Sequence, residues 1–151
     1  MRRARLKAVF PARRSRNGCA NAWLKKERGE TVQLCFQNNY SSTVSVAVMW
    51  YDTDACGGEG GGWATEGWWN LNPGEGVHTD VWTDNRYFCF YAEAEDGAVW
   101  GGDYGPAYAT YNAFQGCVDI GNTQDYLMLG MAEVDAGWWF WSYITYTVNL
   151  D

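Results

Sequence analysis

Arg86-Tyr87-Phe88-Cys89-Phe90-Tyr91-Ala92-Glu93-Ala94-Glu95, followed by Asp96-Gly97, is the stretch that decides the fold class. Extended backbone sends successive side chains to opposite faces. Phe88, Phe90, Ala92 and Ala94 therefore share one face, and Tyr87, Cys89, Tyr91 and Glu93 share the other. A period of two with one apolar set predicts a strand that lays that set on a core. Asp96-Gly97 predicts a hairpin turn, because both residues tolerate the positive φ of a type I′ turn.

The same pattern recurs on either side. Upstream, residues 31–37 alternate and end in the turn cluster Asn38 to Ser42. Thr43 to Tyr51 then sets Val44, Val46, Val48 and Trp50 against Ser45, Ala47, Met49 and Tyr51. These two runs predict a hairpin. Asp52 to Gly62 contains five glycines and no period, which predicts a loop pinned at Cys56. Trp63 to Leu71 predicts a third strand, closed by Asn72-Pro73-Gly74 in a type II turn. Val77, Thr79 and Val81 alternate against His78, Asp80 and Trp82.

Downstream, Ala98 to Gly102 predicts a short return strand, and Tyr104 to Phe114 fits either strand or loop. Asp125 to Val134 and Gly137 to Leu150 predict a last hairpin across Asp135-Ala136-Gly137. No helical period of useful length occurs past Glu30. Short strands with regular turn signals predict an all-β domain over residues 30–151, an antiparallel β-sandwich or a partly closed barrel.

Charge divides the chain. The formal net charge is -7, yet ten of the eleven Lys and Arg lie between Met1 and Arg28 beside a single acid, Glu27. Arg86 then stands against the remaining seventeen acids. Residues 1–29 read as a basic arm, predicted disordered, on a strongly acidic body. Such a body repels polyphosphate, which excludes nucleic-acid binding by the domain itself. Arg2-Arg3-Ala4-Arg5-Leu6-Lys7 has the charges of an export signal, but Pro11 and Arg13-Arg14 interrupt the apolar stretch such a signal needs. No intact signal peptide is visible, and no run is long and apolar enough to predict a transmembrane segment.

Cysteines set the compartment. Cys35, Cys56, Cys89 and Cys117 are spread through the body, with Cys19 alone in the arm. No Cys-x-x-Cys pair occurs and His78 is the single histidine, so a zinc site of usual spacing is excluded. Four separated cysteines in a ring-rich β chain predict two disulfides and an extracytoplasmic location, secreted or periplasmic. Three pairings are open. Cys35 with Cys89, both mid-strand, and Cys56 with Cys117 is the preferred one.

Several motifs together resemble a known family. They are Cys35-Phe36-Gln37-Asn38 leading into Thr43-Val44-Ser45-Val46-Ala47, then Gly67-Trp68-Trp69-Asn70-Leu71-Asn72-Pro73-Gly74. Tyr91-Ala92-Glu93, Trp100-Gly101-Gly102-Asp103 and Asp125-Tyr126 through Gly130 to Val134-Asp135-Ala136-Gly137 complete the set. Across most of residues 32–148 the chain resembles a small bacterial family designated domain of unknown function 1036. The resemblance implies an exported β domain and supplies no catalytic residues. It implies no disulfide pairing either, since the family's pattern places a cysteine near Tyr108 to Phe114, where this chain has none.

Candidate chemistry is limited. A nucleophile–histidine–acid arrangement would have to be built around His78, which alternates into a solvent-facing position with no nucleophile elbow nearby. Glu93 and Glu95 share a strand face that Glu66 or Asp103 could oppose, a layout suited to a glycosidase. Seventeen acids on a small body produce such pairs by chance, and an enzyme is the weaker reading. Asp52-Thr53-Asp54 begins like a calcium loop, but Cys56 and Trp63 occupy positions where ligands belong. No cofactor is expected; an irregular Ca2+ site using Asp84, Asp96 or Asp103 is the alternative.

The ten tryptophans carry the most information. Trp68 and Trp69 point to opposite faces of one strand, and so do Trp138 and Trp139, with Phe140 and Trp141 continuing the alternation. Rings that are not needed for a core leave an aromatic face, and such a face marks a binding surface. The expected ligand-binding residues are Trp63, Trp68, Trp69, Trp82, Trp100, Trp139 and Trp141, with Glu66, Glu93 and Asp103. Flat rings beside carboxylates suit a sugar's apolar face and its rim of hydroxyls. The expected function is a binding module for glycan or cell-envelope polymer. The alternatives are a structural or protein-interaction domain that assembles through its aromatic face, and a carboxylate-dependent glycosidase.

Overall fold

A computed structural model of the chain describes residues 31–118, 126–137 and 145–151. The basic arm lies outside these described residues. Among them the chain forms β1 (Val32–Asn38), β2 (Val44–Tyr51), β3 (Trp63–Leu71), β4 (Gly76–Thr83) and β5 (Tyr87–Ala94). There follow β6 (Val99–Trp100), β7 (Tyr104–Thr110), β8 (Phe114–Cys117), β9 (Tyr126–Asp135) and β10 (Thr145–Leu150). One turn of helix, α1 (Thr53–Cys56), interrupts the glycine-rich loop. The fold is all-β, as expected. One sheet has the order β10-β1-β4; the larger has the order β7-β9-β5-β2-β3-β8, with β6 added on β5.

The larger sheet rolls up. β9 pairs with β5 through Ala132 to Asp135, then switches and pairs with β7 through its earlier residues up to Met131. The crossing is tight: a Cβ on Gly101 would lie 2.8 Å from the Gly130 carbonyl oxygen, and one on Gly102 2.8 Å from that of Met131. Only glycine lets the two backbones approach so closely. Past this point β7 covers the face of β2, β3 and β5. There Ala47, Met49, Trp68 and Cys89 meet Ala107, Ala109, Leu129 and Met131 in one core. The result is a nearly closed barrel.

The opposite face of the same wall carries a second core. Val44, Val46, Val48, Trp50, Trp69, Phe88 and Phe90 pack there against Leu34, Phe36, Val77, Val81 and Leu150 of the small sheet. β2, β3 and β5 are therefore buried on both faces. This explains why Val44 to Trp50 is nearly continuous in apolar residues, the signature of a doubly covered strand. It also explains the Trp68-Trp69 pair. Each ring fills a different core, and both are 3% exposed.

One predicted hairpin is corrected; of the other, residues 138–144 lie outside the described residues. β1 pairs with β4 and with β10, not with β2, which pairs instead with β3 and β5. Asn38 enforces the crossing between sheets. Its buried Nδ2 donates to the carbonyls of Ser42 and Leu71, each at 2.9 Å, and its Oδ1 accepts from the Tyr40 amide at 2.9 Å. Those bonds anchor the segment after β1 to the end of β3 rather than folding it back on β1. At the other end, β10 runs parallel to β1, and no ladder joins it to β9 among the described residues. Alternation specifies a buried face and not a neighbour, which is why both pairings escaped the sequence.

Both turn signals mark real turns, and the first has the expected form. Gly74 has φ 80° and the Glu75 amide bonds the Asn72 carbonyl at 2.9 Å, but this Pro-Gly corner links one sheet to the other. Gly97 has φ 95° in the hairpin between β5 and β6, but its amide bonds the Ala94 carbonyl at 2.9 Å, so Glu95-Asp96 form the centre of the turn and the expected type I′ turn on Asp96-Gly97 is corrected. The ambiguous Tyr104 to Phe114 segment resolves into β7, a break at Tyr111 to Ala113, and the start of β8.

One of the two expected disulfides is present. Cys56 and Cys117 are bonded, with Cα atoms 5.5 Å apart, and tie the α1 loop to β8. The Cys35–Cys89 bridge is corrected: both residues are buried thiols. Leu34 and Phe36 face the sandwich core, so Cys35 lies on the outer face of the small sheet. Cys89 lies in the barrel core, beyond the shared wall. The whole sandwich separates them.

An ion pair closes the end of the β5–β9 ladder. Arg86 donates through Nε to Asp135 at 2.7 Å and through a second nitrogen to the other carboxylate oxygen, while the Gly137 amide donates to Asp135 at 2.8 Å. Arg86 first, and the Gly137 amide second, hold the Asp135 carboxyl below its ordinary range. A carboxyl depressed in the folded state contributes above its unfolded pKa and loses that contribution as pH falls through the folded value. The stability difference between the native chain and Asp135→Asn should therefore be present at neutral pH and vanish in acid, as followed by urea unfolding at stepped pH. A difference independent of pH would refute this role for the carboxylate.

Candidate functional site

Strand register assembles the site. Met49 pairs across from Cys89, and Cys89 pairs across from Glu133, so these three residues of β2, β5 and β9 line up in one row. Trp63 opens β3 and Tyr104-Gly105-Pro106 opens β7. Together with Tyr108 and Val118 they enclose a cleft of about 390 Å³ at the incompletely closed side of the barrel. That volume falls in the range of small-molecule sites, and barrel mouths are favoured places for them.

The cleft is graded from dry to wet. Met49 and Cys89 are buried at its floor, 6% and 2% exposed. Trp63, Tyr108 and Val118 are half-buried along the walls, while Tyr104, Pro106 and Glu133 are exposed at the rim. The Trp63 ring is held edge-on to Tyr51, with centroids 5.7 Å apart.

Electrostatics restrict the chemistry. The Glu133 carboxylate raises the Tyr104 pKa, through its charge first and through a hydrogen bond to the phenol second. Tyr104 is therefore a neutral donor at the rim. Burial pushes the Cys89 thiol up to about 12, and the Glu133 charge adds to this. A thiol so raised stays protonated and is a poor nucleophile. Glu133 is the one carboxylate among the described lining residues. The arrangement can hold a ligand against rings and orient it with one acid and one phenol.

The expected site residues are dispersed. Of those among the described residues, Trp63 alone lies in the cleft. Trp68 is a barrel-core residue whose Nε1 donates to the Thr110 carbonyl at 2.8 Å, and its ring meets Tyr91 and Phe114 edge-on. Trp69 belongs to the sandwich core. Trp82 is half-buried on the outer face of the small sheet, opposite Gln33. Trp100 packs edge-on against Tyr40 at 5.2 Å, at the border of the sandwich core. Trp139 and Trp141 lie outside the described residues.

The expected carboxylates do not line the cleft either. Glu66 is buried, Glu93 is half-buried and accepts from the Tyr91 hydroxyl at 2.9 Å, and Asp103 is exposed. Asp52 caps α1, its Oδ1 accepting from the amides of Asp54 and Ala55 at 3.1 and 3.0 Å. The local Asp-Thr-Asp pattern is thus accounted for by a helix N-cap.

Sequence reasoning missed Tyr104, Tyr108 and Glu133. Two tyrosines four residues apart beside Pro106 were visible, but nothing local pairs β7 with β9. It also placed no nucleophile near His78, whereas the structure sets the Cys35 thiol 3.1 Å from the His78 ring. Comparison with known protein families, curated proteins and solved structures finds no match.

Proposed function

We propose that this chain is an extracytoplasmic binding module whose cleft between Trp63, Tyr104 and Tyr108 takes a glycan or cell-envelope polymer. The observation that carries the reading is the composition of that cleft: partly exposed rings on the walls, with Glu133 and the Tyr104 phenol as the polar groups at the rim. A sugar presents an apolar ring face to the former and hydroxyls to the latter. The protonated Cys89 and the single lining carboxylate favour binding over turnover. The Cys56–Cys117 bridge supports an oxidising compartment. No helix among the described residues is long and apolar enough to cross a membrane. Kinship with the domain family of the sequence resemblance belongs to the same proposal.

Assembly through an aromatic face, the reading that would use Trp139 and Trp141 outside the described residues, gains no support from Trp68 and Trp69, which are interior. The test is calorimetric titration of the full chain with soluble glucan, chitin and peptidoglycan fragments. Binding to at least one class is expected, weakened about tenfold or more by Trp63→Ala, equivalent to roughly 1.4 kcal/mol, and unchanged by Trp82→Ala. No heat with any fragment at millimolar concentration, or equal loss in both variants, would sink the proposal.

A further inference from the structure

The antiparallel register of β1 and β4 sets Cys35 directly across from His78. Leu34, Phe36, Val77 and Val81 occupy the core side of these strands, so Cys35 and His78 share the outer side. The Cys35 Sγ lies 3.1 Å from His78 Nδ1 and 3.9 Å from the Gln33 carbonyl oxygen. Cys35 is 3% exposed, whereas the imidazole beside it is exposed. Among the described residues, the charged group on the same side of β4 is Asp80. Register places the neutral Gln33 and Gln37 of β1, and Thr145 and Thr147 of β10, around the pair.

An imidazole in contact with a thiol accepts its proton and stabilises the thiolate, and the thiolate is the reactive form. We propose that Cys35 and His78 form a nucleophilic thiol site that exchanges with low-molecular-weight disulfides, leaving Cys35 as a reversible mixed disulfide. The thiol proton passes to His78 Nδ1, and the Cys35 sulfur attacks one sulfur of the incoming disulfide. A new S–S bond forms as the old one breaks. The leaving thiolate departs with the electron pair and takes a proton from the imidazolium. Oxidation of Cys35 is balanced by reduction of the incoming disulfide, one half of which leaves as the thiol. Cys89, the other described thiol, lies across the shared wall and cannot displace the adduct. The site stands on the small sheet and is independent of the cleft.

The test is incubation of the full-length, folded chain with oxidised glutathione from pH 5 to 9, read by intact mass and peptide mapping. An adduct on the Cys35 peptide is expected, removed by reductant, while the Cys89 peptide stays unmodified. His78→Gln, with its fold verified by circular dichroism, should slow the reaction at neutral pH about tenfold and move the pH–rate midpoint upward. Cys89→Ser should leave Cys35 reactivity unchanged. A Cys35 peptide that reacts only after denaturation would overturn the proposal. So would a pH profile that His78→Gln does not move.

Discussion

Trp69→Ala is expected to lower the unfolding free energy by about 3–5 kcal/mol, the usual cost of deleting a large ring from a packed core. Trp68→Ala should cost a similar amount, although the two residues are adjacent and touch different cores. Trp69 is packed with Phe88, Phe90 and the small sheet. Trp68 fills the barrel and also leaves the Thr110 carbonyl without its indole donor, a loss of roughly 1 kcal/mol more. Against a total stability of about 5–15 kcal/mol, either change consumes much of the margin. Guanidinium unfolding of the oxidised proteins measures both. A cost under about 1 kcal/mol for either variant would mean that β3 is not buried on both faces. The same pair separates the two layers functionally, since only Trp68→Ala removes a ring from the barrel that forms the cleft.

Loss of the Cys56–Cys117 bridge should be the other large effect. The bond spans a sequence separation of 61 residues, and the loop-entropy relation assigns such a closure about 4 kcal/mol. The cost concentrates where the fold has fewest other ties. The bridge holds the α1 loop, whose backbone bonds are mostly internal, to β8 at the edge of the rolled sheet. Reduction should therefore lower the denaturation midpoint, and the double variant Cys56→Ser with Cys117→Ser should reproduce the reduced state without further sensitivity to reductant. An unchanged midpoint on reduction would show that the sheets alone hold β8. Cys35→Ser and Cys89→Ser should keep the full response to reductant, because neither residue is in the bridge.

Much of this architecture follows from local sequence. The alternation in Arg86 to Glu95 identified the strand, observed over Tyr87–Ala94, and its inward set, because Phe88, Phe90, Ala92 and Ala94 all enter the sandwich core. Pro73-Gly74 and Asp96-Gly97 announced turns through backbone preferences that no tertiary contact needs to supply. The hairpin expected between β1 and β2 was misread for a simple reason. An alternating run says which side chains seek a core, and any strand with a matching face can satisfy it. For β1 the choice was made by Asn38, whose amide bonds reach Leu71, 33 residues away.

The candidate site shows the same division. Abundant rings and acids in the sequence point to a binding surface, with Trp63 among its expected residues. Its companions Tyr104, Tyr108 and Glu133 come together only where β9 leaves β5 for β7, at the Gly101-Gly102 crossing. The Cys35–His78 contact likewise depends on a ladder between strands more than forty residues apart.

By itself the sequence determined the strands, the turns, the cysteine supply and the faces that must be hidden, since each follows from local stereochemistry or from the transfer of apolar groups out of water. Tertiary structure alone decided which strands adjoin, which two of the four body cysteines meet, and which rings remain at a cleft. Those outcomes depend on the pairing of distant segments, and a period of two is the same whichever partner a strand finally takes.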